Sequence, residues 1–225
     1  MPKRKRPEKA SVRELDLILF DLDGTLIDSK KDIADSANYT LKFLGLPELH
    51  PEKIYSFIGD GVRKLLERTL PPDHLRDIES AWTTFSDHYQ ANLLRTTVLF
   101  PGVTEVLTHF QGKSKIIVTN KPERFAIPVL EGLGVLSCFE RIIGGESMPL
   151  KKPHPDAILT LLQEKKIRSD RTLMIGDGTN DIEAGKRAGV IICAVSYGLT
   201  DPGTLLESHP DLMIDDLREL IPLFR

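Results

Sequence analysis

The chain has 225 residues, a formal net charge of −3, and 40% hydrophobic against 28% charged residues, the composition of a folded globular protein rather than a disordered or collagen-like one. Two cysteines, Cys138 and Cys193, are too few for a disulfide framework and too far apart for a zinc-ligand pattern, and no apolar run is long enough to span a bilayer. The opening "MPKRKRPEKA" lacks the apolar stretch of a secretory signal, so a cytoplasmic protein without membrane association is expected.

Residues 1–13 read as a basic tail, with Lys3, Arg4, Lys5, Arg6 and Lys9 against Glu8, which leaves the rest of the chain acidic. A solvated, disordered arm accounts for this composition, and no nucleic-acid binding is expected of it. An apolar run at 15–20 predicts the first strand. The stretch 28–97 then shows helical patterning and no convincing strand, far more chain than one crossover helix needs. Helices are expected in "DIADSANYTLKFLGL", "GVRKLLERTL" and "DIESAWTTFSDHYQANLL"; Ser29 with Asp32 reads as a loose capping box, Gly45 follows the first helix, and "LPPD" breaks the next. Further strands are predicted at 115–119, 141–144, 172–175, 190–195 and 212–214, mostly separated by helical segments. Strands alternating with helices imply a parallel sheet covered on both faces. The expected architecture is α/β: a doubly wound, Rossmann-like core over 14–27 and 98–225 with an α-helical cap at 28–97, hinged at 26–29 and 96–102.

Ligands of an open parallel sheet sit outside the carboxyl ends of its strands, and unusual polar residues collect there. The first predicted strand runs into Asp21-Leu22-Asp23-Gly24-Thr25, the second into Thr119-Asn120-Lys121, and the fourth into Gly176-Asp177-Gly178-Thr179-Asn180-Asp181; "LKKPHP" adds Lys151 and Lys152. Each piece alone has an ordinary reading. Asp-Gly pairs are common turn formers, Thr119 is a strand-end hydroxyl, and Lys152 is a solvated side chain. A calcium loop is excluded at "DLDG" by its short acidic spacing and the apolar strand before it. Their joint occurrence, in order and at strand ends, points to a site.

That order resembles the haloacid dehalogenase-like superfamily, whose motifs run DxDGT, a Thr or Ser after an apolar strand, a Lys, then GDxxxD. The likeness runs from about residue 15 to the end. "DLDGTLIDS", "IVTNKPE", "GGESMPLKKPHPDAIL" and "GDGTNDIEAGKRAG" are similar to the phosphoglycolate phosphatase branch, and "FIGDGVRKLLERTL" to part of its helical cap. Glu146 stands where that branch often has Asp. The resemblance implies a Mg²⁺-dependent phosphatase acting on a small phosphorylated metabolite, 2-phosphoglycolate foremost, with Asp21 as nucleophile forming an aspartyl-phosphate. Asp23, two residues on and therefore on the same side of an extended chain, would protonate the leaving alkoxide and later take a proton from water. It implies that Mg²⁺ is held by the Asp21 carboxylate, the Asp23 carbonyl and Asp177, with Asp181 behind or acting through water. Thr119 and the Asn120 N–H would hold phosphoryl oxygens, and Lys152, preferred to its neighbour Lys151 for the proline that follows it, would offset their charge.

Specificity is expected in the cap, closing over the site as a lid. There Gly59 and Gly61 flank Asp60 before a helix start that favours an anion, and Arg63 is expected to pair with a carboxylate on the substrate's far end. Trp82 and Phe85 read as cap core. A superfamily sugar phosphomutase is disfavoured by Thr25, where such mutases carry Val, whereas an inorganic pyrophosphatase is hardly separated from an ester phosphatase. A phosphorylatable Mg²⁺-binding signalling module is the alternative of another class, set apart by its shorter chain and lack of a helical insert. Monomer and homodimer both remain open.

Overall fold

Side chains along Leu17 to Phe20 point alternately to two sides of an extended strand, and both sides are apolar, so this strand needs cover on each face. The structure, a computed structural model describing residues 13–225, supplies it. The first strand, β1 (Leu17–Phe20), leads through β2 (Ile27–Asp28) into four helices, α1 (Lys30–Phe43), α2 (Pro51–Tyr55), α3 (Val62–Thr69) and α4 (Ile78–Ala91), before the chain returns along β3 (Val98–Leu99). Helices and strands then alternate: α5 (Val103–His109), β4 (Ser114–Val118), α6 (Glu123–Gly132), β5 (Arg141–Ile143), α7 (Asp156–Lys165), β6 (Thr172–Gly176), α8 (Thr179–Ala188), β7 (Ile191–Val195), α9 (Pro202–Glu207) and β8 (Leu212–Ile214).

The sheet order is β5-β4-β1-β6-β7-β8, and its pairings are parallel. From β1 the chain builds outward through β4 to β5, then crosses to β6 and builds the other way. This reversal beside β1 is where such sheets open a ligand crevice. Alternation sorts the core accordingly. Ile18 and Phe20 join a large apolar cluster that continues into the cap through Ile33, Leu65 and Phe85, whereas Leu17 and Leu19 pack with Ile116, Met174, Ile158 of α7 and Ala184 of α8. No helix among the described residues is long and apolar enough to cross a membrane.

The tail expected over 1–13 lies outside the described residues except Arg13, which bridges to Phe224. The two chain crossings expected as hinges pair with each other as a short antiparallel ribbon, with Ile27 opposite Leu99 and Asp28 opposite Val98. Ser29 does cap α1 by position, but its hydroxyl makes no capping bond. It donates to Asp23 at 2.5 Å instead, because the chain leaving β1 curls back within reach of that carboxylate.

Asp32 is likewise diverted from the expected capping box. Its carboxylate, 1% exposed, accepts the backbone N–H and hydroxyl of both Thr96 and Thr97, at 2.6–3.1 Å. It thus ties the start of the helical insert to its end. Burial opposes the charge, but the hydrogen bonds from Thr96 and Thr97 outweigh it and hold the carboxyl below its ordinary range. A depressed folded-state pKa confers stability that is present above the unfolded value of 3.8 and lost as pH falls through the folded value. Replacing Asp32 by Ala strands four donors and is expected to cost about 2–4 kcal/mol. Thermal melts of both proteins check this: the gap between them should be widest near neutral pH and shrink in acid.

Candidate active site

The carboxyl ends of β1, β4 and β6 deliver their following residues to one rim. Asp21 follows β1 directly, with its N–H on the Ile175 carbonyl of β6, and Thr119 follows β4, with its N–H on the Ile143 carbonyl of β5. Gly24 leaves β1 at φ +86°, and a side chain there would run into the Asp177 carboxylate. Only glycine combines that left-handed turn with such close approach. Asp177, just after β6, accepts from the Thr25 hydroxyl at 3.0 Å and the Leu199 N–H at 2.8 Å. Asp181 lies one turn into α8 and accepts the Gly178 N–H at 3.0 Å.

Three of these acids offer oxygens within 4.8 Å of one another: Asp21, Asp177 and Asp181. Lys152 Nζ sits among them, 2.7 Å from Asp21 and 2.6 Å from Asp181. Its side chain is 3% exposed. Burial works against its charge, yet Asp181 and Asp21 together raise its pKa above the ordinary lysine value. Burial, and then the charges of Asp21 and Asp181, push the Asp177 carboxyl well up. Burial also raises Asp181, against the pull of Lys152. A converging set of oxygen donors whose ionised forms resist one another suits a hard divalent cation. Lys151 has a different setting: its ammonium donates to the Asp60 carbonyl of the cap.

Asp23 shares the rim but has other partners. Besides Ser29, its carboxylate accepts from Lys121 Nζ at 2.9 and 3.1 Å, and the same ammonium donates to the Tyr89 hydroxyl of α4 at 2.6 Å. Burial opposes the Lys121 charge, but Asp23 and Tyr89 outweigh it and hold its pKa above the lysine range. Lys121, Tyr89 and Thr25 were not among the expected site residues. Strand alternation could have found Lys121, which stands two residues after Thr119 as Asp23 stands two after Asp21. Tyr89 belongs to a distant helix and carries no local signal.

The cap meets the rim through residues 58–61. The Gly59 carbonyl accepts from Asn120 Nδ2 at 2.9 Å, which also donates to the Lys152 carbonyl at 2.9 Å, and Asn180 donates to the Asp60 carboxylate at 2.6 Å. Under this loop lies a small cavity of about 40 Å³, walled by Ile33, Ile58, Val62, Leu65 and Phe85 on the cap side and floored by Asp21, Asp23, Thr119 and Lys121. The expected role of Arg63 needs correction. Its guanidinium points outward and binds Glu79 at 2.8 Å and Glu67 at 3.7 Å, and it lines neither cavity that Asp21 shares. The reason is helical phase: α3 turns Leu65, Leu66 and Thr69 inward, so position 63 falls on the other face.

A doubly wound core, an α-helical insert at the first strand and acids at adjacent strand ends define a haloacid dehalogenase-like hydrolase. The profile of that family, haloacid dehalogenase-like hydrolase, matches residues 18–195, and the chain belongs to it. Within the family the chain is similar to the phosphoglycolate phosphatase of Pseudomonas fluorescens (strain Pf0-1), 39% identical over 92% of this chain and 78% of that protein. It is also similar to the phosphoglycolate phosphatase of Chromobacterium violaceum, 35% identical over 96% of this chain and 99% of the relative. Among solved structures, a predicted phosphoglycolate phosphatase from Haemophilus somnus 129PT superposes with a TM-score of 0.86 at 32% identity, covering 92% of this chain and 96% of the other.

Proposed function

We propose that this phosphoric monoester hydrolase cleaves a small phosphorylated acid, 2-phosphoglycolate foremost, with Asp21 as nucleophile. The observation that carries the chemistry is the Lys152 ammonium lodged between Asp21 and Asp181. The substrate is suggested by the phosphoglycolate phosphatases that this chain resembles over most of its length.

Asp21 attacks phosphorus, its oxygen forming the new P–O bond while the ester P–O bond breaks. Asp23, on the same side of the strand, gives its proton to the departing alkoxide and then takes one from the water that hydrolyses the aspartyl-phosphate. Ser29 and Lys121 fix the carboxylate that does this. Thr119 and the Asn120 N–H hold phosphoryl oxygens, and Lys152 offsets the charge they develop, in a site where fixed donors act more strongly than in water. Asp21, the Asp23 carbonyl and Asp177 would hold Mg²⁺, with Asp181 behind them; when bound, the ion would polarise the phosphoryl oxygens and let four anionic groups share the rim. The cap cavity takes the rest of the substrate, and its apolar walls exclude water while the transfer proceeds.

Two measurements check this reading. Treatment with EDTA is expected to abolish phosphate release, and added Mg²⁺ to restore it; undiminished turnover in EDTA would contradict the metal assignment. Across a panel of phosphorylated metabolites that includes pyrophosphate, kcat/KM should be highest for 2-phosphoglycolate. A flat profile, or a preference for pyrophosphate, would replace this substrate.

A further inference from the structure

With Arg63 turned to solvent, the question is which group meets the carboxylate of a substrate such as 2-phosphoglycolate. In that molecule the carboxyl carbon lies two bonds from the ester oxygen. Whatever binds it must therefore stand next to the residue that protonates the leaving oxygen. Lys121 Nζ stands there, 2.9 Å from Asp23, and among the described residues lining the cap cavity it is the one cation. Other nearby cations are engaged elsewhere. Lys152 bridges Asp21 and Asp181, Lys151 binds the Asp60 carbonyl, Arg68 binds Asp60 and the Phe57 carbonyl, and Arg124 donates to Ser86 and stacks on Trp82 and Phe125.

We infer that Lys121 is the specificity-determining cation of this site, reading a carboxylate attached to the carbon that bears the phosphoester; the inference rests on the substrate class proposed above. An ammonium has three donors. Lys121 directs them at both Asp23 carboxylate oxygens and the Tyr89 hydroxyl, so a substrate carboxylate entering the cavity would take over one of the two Asp23 contacts, the longer at 3.1 Å. The surroundings favour this. The Lys121 side chain is 3% exposed, and an ion pair made away from water is weakly screened. Ile58, Val62, Leu65 and Phe85 offer no competing charge. Tyr89 also lends its ring face, 4.7 Å from the ammonium. The cation that recognises the substrate is thus braced by the cap, so carboxylate recognition requires the cap to be seated.

The test is a comparison of two substrates in two proteins. 2-Phosphoglycolate and ethyl phosphate differ by the carboxylate on a chain of two carbons, and kcat/KM is measured for each with Mg²⁺ present. The wild-type protein is expected to prefer 2-phosphoglycolate strongly. In Lys121→Met both activities fall, because Asp23 loses a partner, but the ratio between substrates should collapse by about 30-fold or more, chiefly through KM. Lys121→Arg, which keeps the charge, should recover part of that ratio. Circular dichroism establishes folding; if the Met variant does not fold, Lys121→Gln replaces it with the same expected ratio. Equal losses on both substrates would overturn the inference and leave Lys121 as a support for Asp23. A wild-type protein that does not distinguish the two esters would instead overturn the substrate class, and the inference with it.

Discussion

Replacing Asp21 by Asn is expected to lower kcat for any phosphomonoester by about 10⁴-fold or more while leaving the fold intact. The amide keeps the shape of the side chain but cannot displace an alkoxide from phosphorus. Structurally the change is mild. Asp21 sits at the strand end rather than in the core, and Lys152 keeps its second carboxylate, Asp181, at 2.6 Å. Removing one of three converging acids also relieves repulsion between Asp21 and Asp177. The melting temperature without metal should therefore stay the same or rise. Substantial activity in the Asn variant with Mg²⁺ present would contradict the covalent route.

Lys152→Met is expected to cost about 10²- to 10³-fold in kcat, the loss seen when a fixed donor to a developing anionic charge is removed. Stability should fall too, since breaking a buried ion pair leaves uncompensated charge at a cost of about 3–5 kcal/mol. Asp21 and Asp181 lose their shared ammonium, and burial already raises Asp177 and Asp181. Added Mg²⁺ should recover part of the melting temperature, because it supplies positive charge to the same oxygens, without recovering the rate. Lys151→Ala is the matched control. Its ammonium touches a cap carbonyl and no rim carboxylate, so its effect on kcat should stay below about tenfold. Equal effects of the two substitutions would remove the special place given to Lys152.

What could be read from the sequence follows from the range of the signals. Strand alternation and apolar runs are local, so β1, β4 to β8 and the helical insert were legible. So was the placing of Asp21, Thr119 and Asp177 at strand ends. In the sequence only the following proline distinguishes Lys152 from Lys151; the structure places one against Asp21 and Asp181 and the other against Asp60. Pairings between distant segments had no local trace. Asp32 and Ser29 read as capping residues because the capping pattern concerns neighbours, whereas their partners are Thr96, Thr97 and Asp23. The phase of Arg63, away from the inward stripe of Leu65, Leu66 and Thr69, is a local signal, whereas its pairing with Glu79 of α4 is not. The contact between Lys121 and Tyr89 joins core to cap and required the fold.

The proposed mechanism requires covalent attachment of phosphate to Asp21. Acid-quenched turnover of 2-phosphoglycolate with Mg²⁺, followed by borohydride reduction and peptide mass spectrometry, reads this out, since reduction of an aspartyl-phosphate leaves homoserine. Homoserine at position 21, appearing only with substrate and metal together, is the predicted result. Steady phosphate release with an unmodified Asp21, or with the modification at another acid, would contradict it.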